Sequence, residues 1–462
     1  LTALVAVGPR PKASESSNPN PFADRKVQID FDNLARQGAG VAQELSVARA
    51  AKAFAESIPR DAELVALVDT QCVADGNGGA VSHIATEGKT ASLQVQAYKW
   101  RLREAKRLRE LAAEAEEDPC VIGVTENIKL RVEGEFTNDT YFSRQAHFAP
   151  IEAEESYDLF WGSSLRIDRD VVIAIIDTGV AYSHPDLKAQ MWRNASGQYG
   201  IDFVNDDNDP NDDHGHGTHV AGLAAATGNN NIGVSGVMGF RAKIMAIKTM
   251  GADGAGDLSD VANGIIFATQ NGANVINLSL GGPGQNTLIR TAIQDAVNAG
   301  VFVTLAAGND GVQLTNTTFY VPASYGVSLD GALTVGAFDT GTLDRPAFSN
   351  FSTTFVEIGA PGSTGNTGLP STYIENQYVF LRGTSMAAPV VAGAAALAIG
   401  LLRTHNVTPR PADIENILKN SASKSTALGN DFVGGNRLNV LRIARYIQNS
   451  YIFDGSSGLE NE

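Results

Sequence analysis

Short unbroken apolar runs alternate with helix-period stretches along the last two thirds of the chain. Residues 170–176 (DVVIAII), 243–248, 275–280, 301–307 and 332–337 predict buried strands, and 216–227, 258–271, 288–300 and 384–402 predict helices. Alternation of this kind predicts a mostly parallel sheet covered on both faces. The most apolar run, 390–402, is short and rich in Ala and Gly, which predicts a buried core helix rather than a membrane span. Nearer the N-terminus, 63–70 (ELVALVDT) predicts a strand. Residues 91–117 predict one long amphipathic helix, with Leu93, Tyr98, Leu102, Leu108 and Leu111 at near-helical spacing. Asp118-Pro119 would end it, and 120–132 predicts a second strand or hairpin arm. The acidic, aperiodic stretch 133–139 reads as a linker, and the Pro- and Ser-rich start as a flexible leader.

Composition narrows this picture. The chain has 462 residues, 43% of them hydrophobic and 19% charged, so it can bury an ordinary core and is not globally disordered. A net charge of −16, concentrated after residue 140, argues against nucleic acid or an anionic membrane as the main partner and suits a soluble protein able to hold a cation. Residues 1–7 have the texture of a secretory signal-peptide tail, without a basic region before them. Cys72 and Cys120 either pair in an oxidising compartment or are two separate thiols, and no Cys-x-x-Cys spacing suggests zinc.

Three local motifs carry candidate chemistry. Ile176-Asp177-Thr178-Gly179 puts a carboxylate at the end of a buried strand, where α/β folds place functional groups. His216-Gly217-Thr218-His219 puts an imidazole at a helix start. The cluster of His214, His216 and His219 offers metal ligation as a competing reading, but the His-Glu-x-x-His pattern is absent, and His214 and His219 read as structural. Gly383-Thr384-Ser385-Met386 puts a hydroxyl at the N-terminus of an Ala-rich helix, whose free N–H groups favour negative charge. Ser385 or Thr384 could equally be an N-cap. The Gly-x-Ser-x-Gly elbow fails at Ala387, and a dinucleotide loop over 251–259 fails at Ser259.

Taken together, Asp177, His216 and Ser385 occur in the chain order of subtilisin-type triads. Over about 141–447 the chain resembles the subtilisin-like serine proteases. The resemblance implies an α/β fold, a three-layer α/β/α sandwich with a mostly parallel sheet. It implies Ser385 as nucleophile, His216 as general base and Asp177 as its orienting carboxylate, with Asn309 of Ala306-Ala307-Gly308-Asn309 as oxyanion donor. Gly254-Ala255-Gly256 and Ser279-Leu280-Gly281-Gly282 match the segments that flank an extended peptide substrate, and Ala306, Ala307 and Gly308 would wall a roomy apolar pocket for the residue before the scissile bond. Asp310 either favours a basic residue there or is a solvated acid.

The resemblance also implies bound calcium. Asp186 and the Asn230 side chain, with carbonyls of Gly228, Ile232 and Val234, match one site, to which Gln145 is a candidate further ligand. Asp202, Asn205, Asp207, Asp209 and Asn211 match a second, and the same run, with six Asp between 202 and 213, reads equally as an exposed acidic loop. The N-terminal part resembles a propeptide. The implied organisation is a flexible leader at 1–35, a small α/β (ferredoxin-like) inhibitor and chaperone domain at 36–137, and the catalytic domain at 138–462. The end of the propeptide, within 130–142, would lie in the cleft and be cut by Ser385. The expectation is a secreted, monomeric, calcium-binding serine endopeptidase acting on protein or peptide substrates. The alternatives are a catalytically silent binding module on the same fold and an enzyme held latent by its own N-terminal segment.

Overall fold

The computed structural model describes residues 138–156 and 167–452, and the backbone of three strands at 63–69, 95–101 and 121–126. The chain divides into two compact units, Leu1–Arg131 and Val132–Glu462. In the first, β1 (Glu63–Asp69) pairs antiparallel with β2 (Val95–Arg101) and β3 (Val121–Glu126), in the order β2-β1-β3. The long helix expected over 91–117 is therefore wrong over β2. The stretch VQAYKWR combines a β-branched residue and two aromatics, and this local preference for extended backbone outweighs the helix-period leucines around it. The rest of that expected helix, Cys72 and Cys120 lie outside the described residues.

The second unit opens its sheet with β4 (Val171–Asp177) and β5 (Gly200–Asp202), followed by helix α1 (His216–Ala225) and β6 (Ala242–Lys248). Helix α2 (Leu258–Gln270), β7 (Val275–Leu278), β8 (Gly282–Pro283), α3 (Thr287–Asn298) and β9 (Phe302–Ala306) come next. They are followed by β10 (Tyr320–Val321), β11 (Ala332–Asp339), β12 (Ile358–Ser363) and the hairpin of β13 (Leu369–Thr372) and β14 (Tyr378–Leu381). The unit closes with α4 (Thr384–Thr404), α5 (Pro411–Asn420), β15 (Ser423–Lys424), β16 (Asn436–Arg437) and α6 (Val440–Ile447).

Nine strands form the main sheet, in the order β15-β16-β12-β11-β9-β7-β4-β6-β5, and only the β15–β16 pair is antiparallel. Side chains alternate along β4. Val171, Ile173 and Ile175 join the core that holds the apolar residues of α1, α4 and α6, whereas Ala174 and Ile176 join the core under α2 and α3. The result is the three-layer α/β/α sandwich. Helix α4 crosses β12, β11, β9, β7 and β4 and is the buried core helix that its composition predicts. It is long and apolar enough to span a membrane, but its apolar window is 100% buried in the protein. After β4 the chain goes to the edge strand β5, returns through β6 and then crosses to β7 on the other side. The sheet order therefore reverses at the carboxyl end of β4, where ligands bind in open α/β sheets.

Candidate active site

Asp177 is the last residue of β4 and is 2% exposed. Its Oδ1 accepts the His216 Nδ1–H at 2.7 Å and the Thr178 backbone N–H at 2.8 Å. His216 can approach because the next residue has no side chain: a Cβ on Gly217 would lie 2.1 Å from the Gly179 carbonyl oxygen. With Nδ1 donating to Asp177, Nε2 is left as the basic nitrogen. Burial lowers the His216 pKa, but the charge and hydrogen bond of Asp177 and the charge of Asp212 outweigh it, so the imidazole is held above its ordinary value.

Ser385 is the second residue of α4. Its hydroxyl donates to the Ser279 carbonyl at 3.2 Å, and the Ser279 hydroxyl donates to the Ser385 carbonyl at 2.9 Å. Asn277 Nδ2 donates in turn to Ser279 Oγ at 2.8 Å. The nucleophile candidate is thus locked to the end of β7. The hydroxyl is turned to Ser279 and not to His216, and catalytic hydrogen bonds of this kind are often long or poorly aligned in free sites and tighten on substrate binding.

Thr384 is not the N-cap that its position suggests. Its backbone N–H and hydroxyl both donate to Asn309 Oδ1, at 2.8 and 3.0 Å, and its oxygen accepts the Gly308 N–H at 3.0 Å. The Asn309 oxygen is consumed, and the side chain offers its NH₂ group to the cleft.

Asp177, His216, Asn309 and Ser385 line one cleft of about 560 Å³. Gly254, Ala255, Gly256, Ser279, Leu280, Gly281, Ala306 and Gly308 line the same cleft, whereas Gly282 and Ala307, expected beside them, do not. His214 lines it too, with Nδ1 accepting the His216 N–H at 3.3 Å. His219 points away. Its Nε2 donates to the Leu369 and Val379 carbonyls, both at 3.1 Å, tying α1 to the β13–β14 hairpin, and burial pushes its pKa down to about 3.

Sequence reasoning missed three residues here. Asp212, 5% exposed, accepts from Thr178 Oγ1, His214 N and Gly215 N through Oδ1, and from the backbone and hydroxyl of Thr218 through Oδ2. Lys248 is 1% exposed and donates to Thr178 O at 3.0 Å, Met250 O at 2.8 Å and Asp213 Oδ1 at 2.6 Å. Tyr320 lines the cleft beside the glycine walls. The run DDHGH held the only sequence signal, for Asp212, and the acidic-loop reading absorbed it.

The calcium candidates are distributed unequally. Asp186 is fully buried and accepts from Asn230 Nδ2 at 2.7 Å, Val234 N at 2.9 Å and Tyr378 OH at 3.2 Å, all neutral groups. Burial, with the charge of Asp139 acting the same way, pushes its pKa up to about 6 against these hydrogen bonds. Asp139 in turn accepts the Asn229 and Asn230 N–H groups, both at 2.9 Å. Gln145 is spent elsewhere, exchanging two hydrogen bonds with the Ser235 backbone at 2.7 and 2.8 Å, and Asp139 is the carboxylate that the N-terminal segment brings to this loop, beside the Asn138 and Thr140 side chains on Asn231. Asp186 and Asp139 thus put two carboxylates, the donor type that a hard divalent cation takes, against the 228–234 loop, where the Asn230 amide donates through nitrogen to Asp186 and accepts the Ile232 N–H on its oxygen.

In the acidic loop, Asp202 is buried and caps its own turn, accepting from Val204 N, Asn205 N and Asn205 Nδ2. Asp207 accepts from Asp209 N, Asp209 accepts from Tyr182 OH, and Asn205, Asp207, Asp209 and Asn211 are exposed. Among the described residues, no three His, Cys, Asp or Glu side chains converge for a metal, so either site must be completed by carbonyl and amide oxygens.

Residues 168–436 match the family model described as "Subtilase family". The chain is 39% identical over 312 residues to a thermophilic serine proteinase of Bacillus sp. (strain AK1), covering 67% of this chain and 69% of that one. It is 37% identical over 310 residues to thermitase of Thermoactinomyces vulgaris, covering 67% of this chain and 99% of thermitase. Among solved structures, a protease from Pseudoalteromonas arctica PAMC 21717 superposes with a TM-score of 0.54 at 29% identity, over 68% of this chain and 99% of that one.

Proposed function

The chain belongs to the subtilase family of serine proteases, and on that premise we propose that it is a calcium-binding serine endopeptidase, made as a self-processing proprotein and exported from the cell. Ser385 is the nucleophile. His216 Nε2 removes its proton as Oγ attacks the scissile carbonyl, and then delivers that proton to the leaving amine. Asp177 holds the imidazole in the required tautomer and stabilises the imidazolium. The Asn309 amide and the Ser385 backbone N–H bind the tetrahedral oxyanion. Water then repeats the sequence in reverse on the acyl-enzyme and frees Ser385.

Extended substrate runs between 254–256 and 279–281, pairing its backbone as an added strand. Asp186, Asn230 and the carbonyls of Gly228, Ile232 and Val234, with Asp139, hold one calcium ion, and the loop over Asp202, Asn205, Asp207, Asp209 and Asn211 holds a second. The ions act structurally by neutralising clustered carboxylates. Residues 36–137 act as inhibitor and chaperone until cleavage within 130–142 releases them, and 138–462 form the catalytic domain. The observation that best supports the reading is the 2.7 Å His216–Asp177 hydrogen bond, with Ser385 and Asn309 in the same cleft.

The test is the intact mass of the full chain beside Ser385→Ala. Wild type is expected to give two fragments split within 130–142 and to take a fluorophosphonate label, and Ser385→Ala to do neither, with peptidase activity lower by ~10⁶-fold, the usual scale of nucleophile loss. An uncut, unlabelled wild-type chain would refute the proposal in favour of a silent binding module or an enzyme held latent by its own N-terminal segment. Label without cleavage would leave a peptidase that does not process itself.

A further inference from the structure

From the geometry of the cleft we propose that Tyr320 is a specificity-determining residue: it closes the pocket for the side chain preceding the scissile bond, so that this enzyme cleaves after short residues such as alanine and serine. The proposal rests on the peptidase reading above and names the substrate class of that same site.

The direction of the side chain follows from the chemistry. With its carbonyl carbon beside Ser385 Oγ and its oxygen toward the Asn309 amide, the acyl residue lies along 279–281 with its backbone paired there. Its side chain then enters the space between the walls formed by 279–281 and 306–308. Walls of Gly and Ala alone would leave a deep slot. The Tyr320 ring fills that slot from the far side.

Two observations show this. A Cβ on Gly308 would lie 2.7 Å from Tyr320 Cε1 and 2.8 Å from Cζ. A Cβ on Gly281 would lie 3.1 Å from the same Cε1. One ring edge therefore touches both walls and spans the gap between them. A side chain at either wall would collide with this ring, and also with the Asn350 amide nitrogen at 2.4 Å at Gly308 or the Val321 carbonyl at 2.6 Å at Gly281. Gly308 also has φ +101°, where a side chain is strained in any case.

The ring is held at both ends. Its backbone pairs with Pro283 in the β8–β10 ladder, and its N–H donates to Ser324 Oγ at 3.0 Å. Its hydroxyl faces Asp310, and burial together with that charge pushes the phenol up to about 12, so it stays a neutral donor. Asp310 is thereby engaged by the phenol and does not line the cleft. Opening the slot requires the ring to leave both glycines and this carboxylate together.

The experiment measures kcat/KM of the full chain, normalised to active sites titrated with a fluorophosphonate. The substrates are tetrapeptide amides that differ only in the residue before the scissile bond: Ala, Leu or Phe. Wild type is expected to favour Ala over Phe by at least 10-fold, an ordinary scale for steric exclusion from an apolar pocket. Tyr320→Ala should raise the Phe/Ala ratio by 10- to 100-fold, and Tyr320→Phe, which keeps the ring, should leave it within about 3-fold of wild type. A labelled enzyme that prefers Phe or Leu, with a ratio unmoved in Tyr320→Ala, overturns the proposal and leaves the peptidase reading intact. Absence of both label and turnover overturns that reading, and this proposal with it.

Discussion

Asp212 grips Thr218 twice, accepting its backbone N–H at 2.8 Å and its hydroxyl at 2.6 Å on the same oxygen. Its other oxygen reaches Thr178, the neighbour of Asp177, at 2.8 Å. One buried carboxylate thus joins the end of β4 to the first turn of α1, the two elements that carry Asp177 and His216.

Replacing Asp212 with Asn should have two separable effects. It removes a negative charge that raises the His216 pKa, so the acid limb of kcat/KM against pH should move to lower pH. The sign follows from the role: His216 acts as a base only when neutral, and a lower pKa keeps it neutral further into acid. The amide also presents NH₂ to donors that the carboxylate accepted, costing about 1–3 kcal/mol of stability by denaturant titration. A lost fold stability with an unmoved acid limb would mean that Asp212 is structural only.

Asn309→Ala should lower kcat by ~10²–10³ with little change in KM, because the NH₂ group acts on charge that develops only in the transition state. Thr384→Val keeps the backbone bond to Asn309 Oδ1 and removes the hydroxyl bond. Its loss should therefore be smaller, roughly 10-fold, and should vanish in the Asn309→Ala background when the two are combined in a double-mutant cycle.

The parts of the site that the sequence made legible are those packed into short motifs. Asp177, His216, Asn309 and Ser385 each sit where a strand ends or a helix begins, and apolar periodicity marks those boundaries. The partners that hold them come from far along the chain. Lys248 serves Thr178 from 70 residues away, and Asp139 serves Asn230 from 91. Tyr320 meets Gly281 and Gly308 after a polar loop without periodicity. Gln145 was the expected polar group from the N-terminal segment, and nothing local distinguishes it from Asp139. The strand β12, with its sequence IGAPGS, was invisible because Gly and Pro mask a segment that is extended only through pairing with β11 and β16.

Lys248→Met should destabilise the protein by about 2 kcal/mol. The change strands two backbone carbonyls, of Thr178 and Met250, that the ammonium satisfies inside the protein. The Asp213 side chain is 49% exposed and can turn to solvent, which keeps the loss below that of a fully buried pair. Chemical denaturation measures it, and peptidase activity should fall in parallel because Thr178 adjoins Asp177.

Chelation with EGTA should lower the midpoint of thermal unfolding of the wild type, since an ion held at about 100 times its Kd adds roughly 2.7 kcal/mol to the folded state. Asp186→Asn removes one of the two carboxylates on the 228–234 loop, and its unfolding should respond less to calcium than that of the wild type. Equal calcium responses in the two proteins would place the stabilising ion elsewhere.

A second buried carboxylate, remote from the cleft, should make stability fall as pH rises. Glu357 is 3% exposed, and its oxygens meet the Thr334 N–H at 3.2 Å and Lys419 Nζ at 3.1 Å. Burial and the neighbouring charge of Glu415 push its pKa up to about 7, against the opposing pull of Lys419. Burial acts to lower the Lys419 pKa, but the hydrogen bonds and charges of Glu415 and Glu357 outweigh it and hold it above its ordinary value, so the pair is attractive and burial of Glu357 is what wins. The unfolded chain releases this proton near pH 4.5, the folded chain near 7. Between these limits the folded state binds the extra proton. Its stability contribution is complete below about 4.5 and is lost as pH rises through about 7, by at most about 1.4 kcal/mol per pH unit. Glu357→Gln keeps an acceptor for Thr334 and cannot titrate. The difference in unfolding free energy between wild type and Glu357→Gln should therefore slope across pH 4.5–7 and flatten on either side, and a difference constant with pH would show that Glu357 stays charged in the fold.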